Sequence, residues 1–134
     1  MKQLIKHGVG AAMLALCLPA MAQVVVVVNP KAAESSLSKE QVSQFFLGKS
    51  NALTPVDQTD IGIRSEFYKK VTDKEISQVK SLWSKLVFTG KATMPKEAAD
   101  GAAVKKMVAG DPKAIGYIDR SLVDGSVKVV YAAQ

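Results

Sequence analysis

Five valines in a row, Val24 to Val28, constrain this chain more than any other stretch. β-Branched side chains lose χ1 freedom in a helix and fit a pleated strand. The run has no polar alternation, so it predicts a strand buried on both faces, inside a sheet covered on two sides. Asn29-Pro30 ends it, because proline has no N–H to give to a strand ladder.

The segment before the valines reads differently. Lys2 and Lys6 flank the start of an apolar stretch, Gly8 to Leu18, and Ala20-Met21-Ala22 is a small-x-small site. This predicts a cleaved signal peptide over residues 1–22, a mature chain beginning at Gln23, and a periplasmic or secreted location. The apolar stretch falls short of the ~20 residues of a membrane span, so no anchor is expected. Leu16 stands before Cys17, where a lipidated cysteine calls for a small residue.

Cleavage removes Cys17 and His7, the only cysteine and the only histidine in 134 residues. Thiol nucleophiles, histidine triads, Cys/His metal sites and disulfides go with them. The chain is therefore read as a non-enzyme, with no catalytic residue, no metal and no cofactor assigned. Asp57 and Asp60 are close in sequence, but nothing in the sequence sets them in a cleft as an acid–base pair. Loss of Lys2 and Lys6 lowers the net charge of +6 by two. The remaining basic residues are scattered, singly or as pairs such as Lys69-Lys70 and Lys105-Lys106. A nucleic-acid surface would cluster them with aromatic residues between, so no nucleic-acid partner is expected.

Residues 23–134 suit one domain. Ser38-Lys39-Glu40-Gln41 has the form of a capping box, opening a helix that runs to about Leu47 and stops at Gly48 as a left-handed residue. Residues 52–57 read as a short or edge strand, because Pro55 interrupts them. Residues 58–62 read as a polar loop, and Ile63, Phe67 and Val71 mark a second helix over 63–71. A third helix, about 75–87, carries Ile76, Val79, Trp83 and Leu86 on one face. Residues 91–99 read as a loop. Asp100 caps a fourth helix, 101–109, which ends at Gly110-Asp111-Pro112 with the glycine left-handed. Residues 114–118 and 126–131 read as strands. Alternating strands and helices predict a three-layer α/β sandwich with a mixed sheet.

Several segments also resemble one family in order. They are Val25-Val26-Val27-Val28-Asn29, Leu37-Ser38-Lys39-Glu40-Gln41-Val42, Phe45-Phe46-Leu47-Gly48-Lys49, Arg64-Ser65-Glu66-Phe67, Trp83, Phe88-Thr89-Gly90, Pro95 and Ala114-Ile115-Gly116-Tyr117-Ile118. The pattern resembles the periplasmic phosphate-binding proteins of phosphate ABC transporters, and looks like one lobe of a type II periplasmic binding protein. The resemblance implies phosphate or another small anion, held at a helix N-terminus for uptake or sensing. Where that family carries Ser-Gly-Thr, this chain reads Ile61-Gly62-Ile63 and keeps only the glycine.

Five residues follow as candidates for a ligand site. Thr59, Gly62, Arg64 and Ser65 gather donors and positive charge at the start of the second helix. Asn29 stands at a strand C-terminus, where α/β sheets place ligands. Plainer roles stand beside these: Thr59 or Asp60 caps the helix, Arg64 pairs with a surface carboxylate, and Asn29 satisfies its own turn. One form of that anion site is completed across a homodimer. A second functional reading is an envelope protein-interaction or scaffold domain that has lost small-ligand binding, with Ile61 and Ile63 turning a ligand edge apolar.

Overall fold

A computed structural model describes residues 23–133; the expected leader, residues 1–22, lies outside the described residues. The elements run β1 (Val24–Val28), α1 (Lys39–Phe46), β2 (Thr54–Gln58), α2 (Ile61–Thr72), α3 (Ile76–Phe88), β3 (Lys96–Ala98), α4 (Gly101–Ala109), β4 (Ala114–Asp119) and β5 (Lys128–Ala132). A 3-10 turn at Arg120–Leu122 joins β4 to the last segment.

The valine run is β1, and each of its five residues is 0% exposed. It pairs antiparallel with β4 on one side and with β5 on the other. The sheet order is β3-β2-β4-β1-β5, with β2 parallel to both β3 and β4. Successive side chains of a strand point to opposite faces, so one run serves two cores. Val24, Val26 and Val28 pack with Phe46, Phe67 and Trp83 from α1, α2 and α3. Val25 and Val27 pack with Val104 and Val108 of α4. This is the three-layer sandwich with a mixed sheet.

The aromatic side of the core is specific in geometry. Phe67 stacks on Tyr117 with ring centroids 4.0 Å apart, and Phe46 meets Phe67 edge-on at 4.7 Å. Trp83 is buried, and its Nε1 donates to the Phe46 carbonyl at 2.8 Å, tying α3 to the end of α1. α1 opens on the expected capping box: Gln41 N donates to Ser38 Oγ at 3.1 Å, and Ser38 N to Gln41 Oε1 at 2.9 Å. It stops at Gly48 with φ +76°.

The structure departs from the sequence reading at four places. β2 is an inner strand rather than an edge strand, between β3 and β4. Thr54 N donates to the Lys113 carbonyl at 2.7 Å on the β4 side, so the alternate position, Pro55, turns its missing N–H the other way. β3 begins its pairing only at Val56, so the proline deprives no ladder partner. Gln58 belongs to β2 and is buried, and α2 starts at Ile61 with Asp60 as its cap. Residues 96–98, expected as loop, form β3 at the sheet edge. Gly110 ends α4 with φ −95°, an ordinary right-handed value, so the stop comes from the following Asp111-Pro112 turn rather than a left-handed glycine.

Candidate functional site

The C-terminal ends of β2 and β4 carry the densest polar chemistry of the described residues. Asp57, the next-to-last residue of β2, is buried at 3% exposure. Its Oδ2 accepts from Tyr68 OH at 2.7 Å and lies 3.2 Å from Arg64 Nη2. Its Oδ1 accepts from Tyr117 OH and from Gln58 N, the latter at 2.9 Å. Gln58 Nε2 in turn donates to the Tyr117 carbonyl at 2.6 Å. A buried carboxylate is tolerated only when paired and fully hydrogen-bonded, and Asp57 is both. The network pins α2, through Arg64 and Tyr68, to β2 and β4.

Burial, then the Asp57 charge, push both tyrosine hydroxyls above the ordinary tyrosine range. They stay protonated and act as donors, not as bases. Arg64 is also buried, with Nη1 3.5 Å from Glu97 Oε2 on β3. Its charge is committed to Asp57 and Glu97.

Beside this network lies a cleft of about 490 Å³. Gly62 and Ile63 line it from the start of α2, Gly101 from the start of α4, and Asp119 from the end of β4. Two helix N-termini therefore open on one concavity. The first N–H groups of a helix have no partner within it and carry the positive end of its dipole. Asp60 takes Gly62 N at 3.0 Å, and Asp100 takes Ala103 N at 2.9 Å. Helix geometry leaves the amides of Ile61, Ile63, Gly101 and Ala102 without an intrahelical acceptor. Asp60, Glu66 and Asp119 line the same cleft, and no Lys or Arg does.

The five sequence candidates do not converge. Gly62 alone lines the cleft. Thr59 donates its hydroxyl to the Ala99 carbonyl at 3.3 Å and its N–H to Ala98 at 2.9 Å, holding β2 to the end of β3. Ser65 is half-buried on α2 and outside the lining. Arg64 is a buried strut whose Nη2 and Nη1 face Asp57 and Glu97, while its Nε is buried without a hydrogen-bond partner among the described residues. Asn29 stands at the far end of the sheet, since Val28 pairs with Ile115 while Asp119 pairs with Val24. There Asn29 Oδ1 accepts from Lys31 N at 2.9 Å, and Nδ2 donates to the Val108 and Ala109 carbonyls at 3.0 and 2.9 Å. It satisfies its own turn and the C-terminus of α4.

Sequence reasoning missed Asp57, Tyr68 and Tyr117 as a unit. The available signal was an aspartate closing a strand with an arginine seven residues on; Tyr117, in an apolar strand, reads as a packed residue with a bonded hydroxyl, as it proves to be, while Tyr68, between Phe67 and Lys69-Lys70, gave no signal.

No protein-family model matches the chain. Solved structures do. One is a protein from Clostridium perfringens assigned as a phosphate ABC transporter substrate-binding protein, with bound phosphate: 21% identity, TM-score 0.65, covering 81% of this chain and 44% of that one. Another is an ABC-type phosphate transport receptor from Vibrio cholerae: 20% identity, TM-score 0.65, covering 81% and 45%. PstS from Borrelia burgdorferi follows at 10% identity and TM-score 0.63, covering 82% and 47%. The chain spans less than half the length of each. What it shares with them is the fold, an α/β sandwich around a mixed sheet.

Proposed function

We propose that this chain is an exported single-lobe binding module that takes phosphate, or a small anion of like shape, for uptake or sensing. The signal-peptide pattern of residues 1–22 and the transport-receptor neighbours support export. The observation that carries the reading is the cleft on which the N-termini of α2 and α4 both open. Unpaired first-turn amides are a ready anion site, and they need neither hydroxyl of the Ser-Gly-Thr pattern. The cleft binds and does no chemistry: the buried carboxylate, Asp57, has its positions filled by Tyr68, Tyr117, Gln58 and Arg64.

The carboxylates in the cleft set the selectivity. An ionised carboxylate only accepts hydrogen bonds. Phosphate keeps a proton at neutral pH and can donate it to Asp60 or Asp119; sulfate has none and meets repulsion. The module therefore prefers protonated oxyanions.

A thermal-shift and calorimetric titration of residues 23–134 with phosphate and sulfate tests this. Binding to the native state raises stability by mass action, about 2.7 kcal/mol at a hundredfold excess over Kd. Phosphate is expected to raise Tm and sulfate to leave it unchanged. Gly62→Glu places a carboxylate in the cleft at a helix start, where it suits the dipole but excludes an anion; it should fold and lose the phosphate response. No heat and no Tm shift at millimolar phosphate overturns the reading.

A further inference from the structure

A second concavity, of about 570 Å³, lies at the other end of β2. Thr54 and Pro55, the first residues of β2, line it. One wall is the loop after α1, with Lys49, Ser50 and Asn51; the other is the loop after α3, with Lys91 and Thr93. Leu53 and the edge of Trp83 give it an apolar floor, and Met94, 53% exposed, stands at its side.

The charge here is of one sign. Lys49 and Lys91 line the cleft with no Asp or Glu. Residues 48–56 and 84–96 hold Lys49, Lys85, Lys91 and Lys96 and not one carboxylate. Neither Lys49 nor Lys91 has an ion-pair partner among the described residues. The side chains of Asn51, Thr54 and Thr93 make no hydrogen bond to the rest of the described chain, while Ser50 Oγ accepts only from Ala52 N, at 3.5 Å. The walls are nonetheless fixed. Lys49 N donates to the Gln44 carbonyl at 2.8 Å, and Lys91 N to the Leu86 carbonyl at 2.9 Å. Each lysine follows a left-handed glycine, Gly48 at φ +76° and Gly90 at φ +74°. Phe46-Leu47-Gly48-Lys49 and Phe88-Thr89-Gly90-Lys91 thus bring two lysines from two equivalent helix ends to the lining of one concavity, Lys49 standing between it and a neighbouring concavity lined by Glu40 and Asp73.

We infer that this cleft is a binding site for an organic anion, a charged oxygen group carried on an apolar body. Lys49 and Lys91 take the oxygens as charge-assisted donors, with hydroxyl and amide donors beside them. Leu53, Trp83 and Met94 take the body. The volume falls in the range of small-molecule pockets. The site is separate from the helix-start cleft and does not depend on it: one end of β2 offers backbone amides among carboxylates, the other ammonium groups over apolar carbon.

The lysines also follow helix C-termini, where a cation offsets the carbonyl end of the dipole. That role alone would show in stability and not in binding, so the test reads both. Residues 23–134, labelled with nitrogen-15, are titrated with phenyl phosphate and separately with inorganic phosphate. Phenyl phosphate is expected to shift the amides of Gly48, Lys49, Lys91 and Thr93 and the Trp83 indole N–H, and to bind more weakly as salt is added. Lys49→Ala and Lys91→Ala should each weaken it about tenfold with little change in Tm, and Lys49→Arg should retain binding. Inorganic phosphate, lacking the apolar body, should leave these resonances in place and perturb Ile61 to Ile63 and Gly101 if the helix-start cleft is competent. Shifts with phenyl phosphate confined to α2 and α4, no shifts at millimolar ligand, or affinity unchanged in both lysine variants would overturn the second site. A flat response to inorganic phosphate would count only against the first.

Discussion

The two ends of β2 are built on opposite principles. Its C-terminal end is tied down by buried charge: Asp57 holds Arg64, Tyr68 and Tyr117, and three carboxylates line the adjoining cleft. Its N-terminal end is held by backbone turns and glycines, and presents two unpaired lysines. Five residues of strand, about 15 Å, separate them. Polar residues that are buried and satisfied specify the fold, whereas polar residues left without partners around a concavity are free to meet a ligand. Arg64, ion-paired with Asp57 and Glu97, belongs to the first kind in all but its unpartnered Nε, and Lys49 and Lys91 to the second.

The largest effect should come from breaking the buried end. Asp57→Asn leaves the Arg64 guanidinium against an amide and takes one acceptor oxygen from the tyrosine pair. Removing one partner of a buried ion pair costs about 3–5 kcal/mol; Glu97, half exposed, keeps a partial hold on Arg64, so the low end is expected. Urea unfolding of residues 23–134 measures it. A loss below about 1 kcal/mol would mean that the network is dispensable, and that the contrast between the two ends is one of surface charge alone.

The next test strikes the other end. Gly48→Ala puts a Cβ 2.4 Å from Leu86 Cδ1 and 3.2 Å from Trp83 Cη2, on a backbone with φ +76°. Gly90→Ala has nearly the same φ, +74°, and nothing within 4 Å. A left-handed alanine costs about 1 kcal/mol, so Gly90→Ala should lose that much and Gly48→Ala about 2 kcal/mol, the excess being the clash. Equal losses would show that the lysine-bearing loop yields, and that its wall is less fixed than its hydrogen bonds indicate.

Alkali separates the ends by a third route. The Tyr68 and Tyr117 hydroxyls are held above their unfolded value of 10.0 by burial and by Asp57. Above that pH the unfolded chain releases protons that the native state retains, so native stability falls as pH rises. The slope should reach about 1.4 kcal/mol per pH unit for each tyrosine. Tyr117→Phe, compared with the parent in urea unfolding between neutral pH and strong alkali, should flatten the alkaline limb by one tyrosine's worth. An unchanged slope would place the sensitivity elsewhere.

Much of the fold was legible because it depends on local rules. Five valines define an inner strand, Ser38 and Gln41 a capping box, and Gly48 a left-handed stop, and each needs only its neighbours. Pro55 misled because its tolerance depends on where β3 begins to pair, which the sequence of β2 does not hold. The site was legible only in part. Asp60 and Gly62 declare a helix start by themselves. The fate of Arg64 depends on Asp57, Glu97 and two tyrosines drawn from three strands and a helix, and of Asn29 on carbonyls about eighty positions away. A donor read from local sequence is a candidate ligand contact until a distant partner claims it.

The smallest effect bears on the acidic cleft itself. Asp60→Asn keeps the helix cap, since asparagine caps about as well as aspartate, and removes one negative charge from the lining. If carboxylates select for a protonated oxyanion, the variant should gain sulfate binding while phosphate binding changes little. One exposed charge at this distance is worth under about 1 kcal/mol, so the gain is a few-fold in Kd and is best read at low salt. Calorimetric titration of parent and variant with both anions measures the ratio. A ratio that rises toward sulfate sharpens the contrast between an end that discriminates by carboxylate and an end that attracts by lysine. A ratio that stays fixed would mean that amides alone set the selectivity, and that the acidic lining serves the helix starts rather than the ligand.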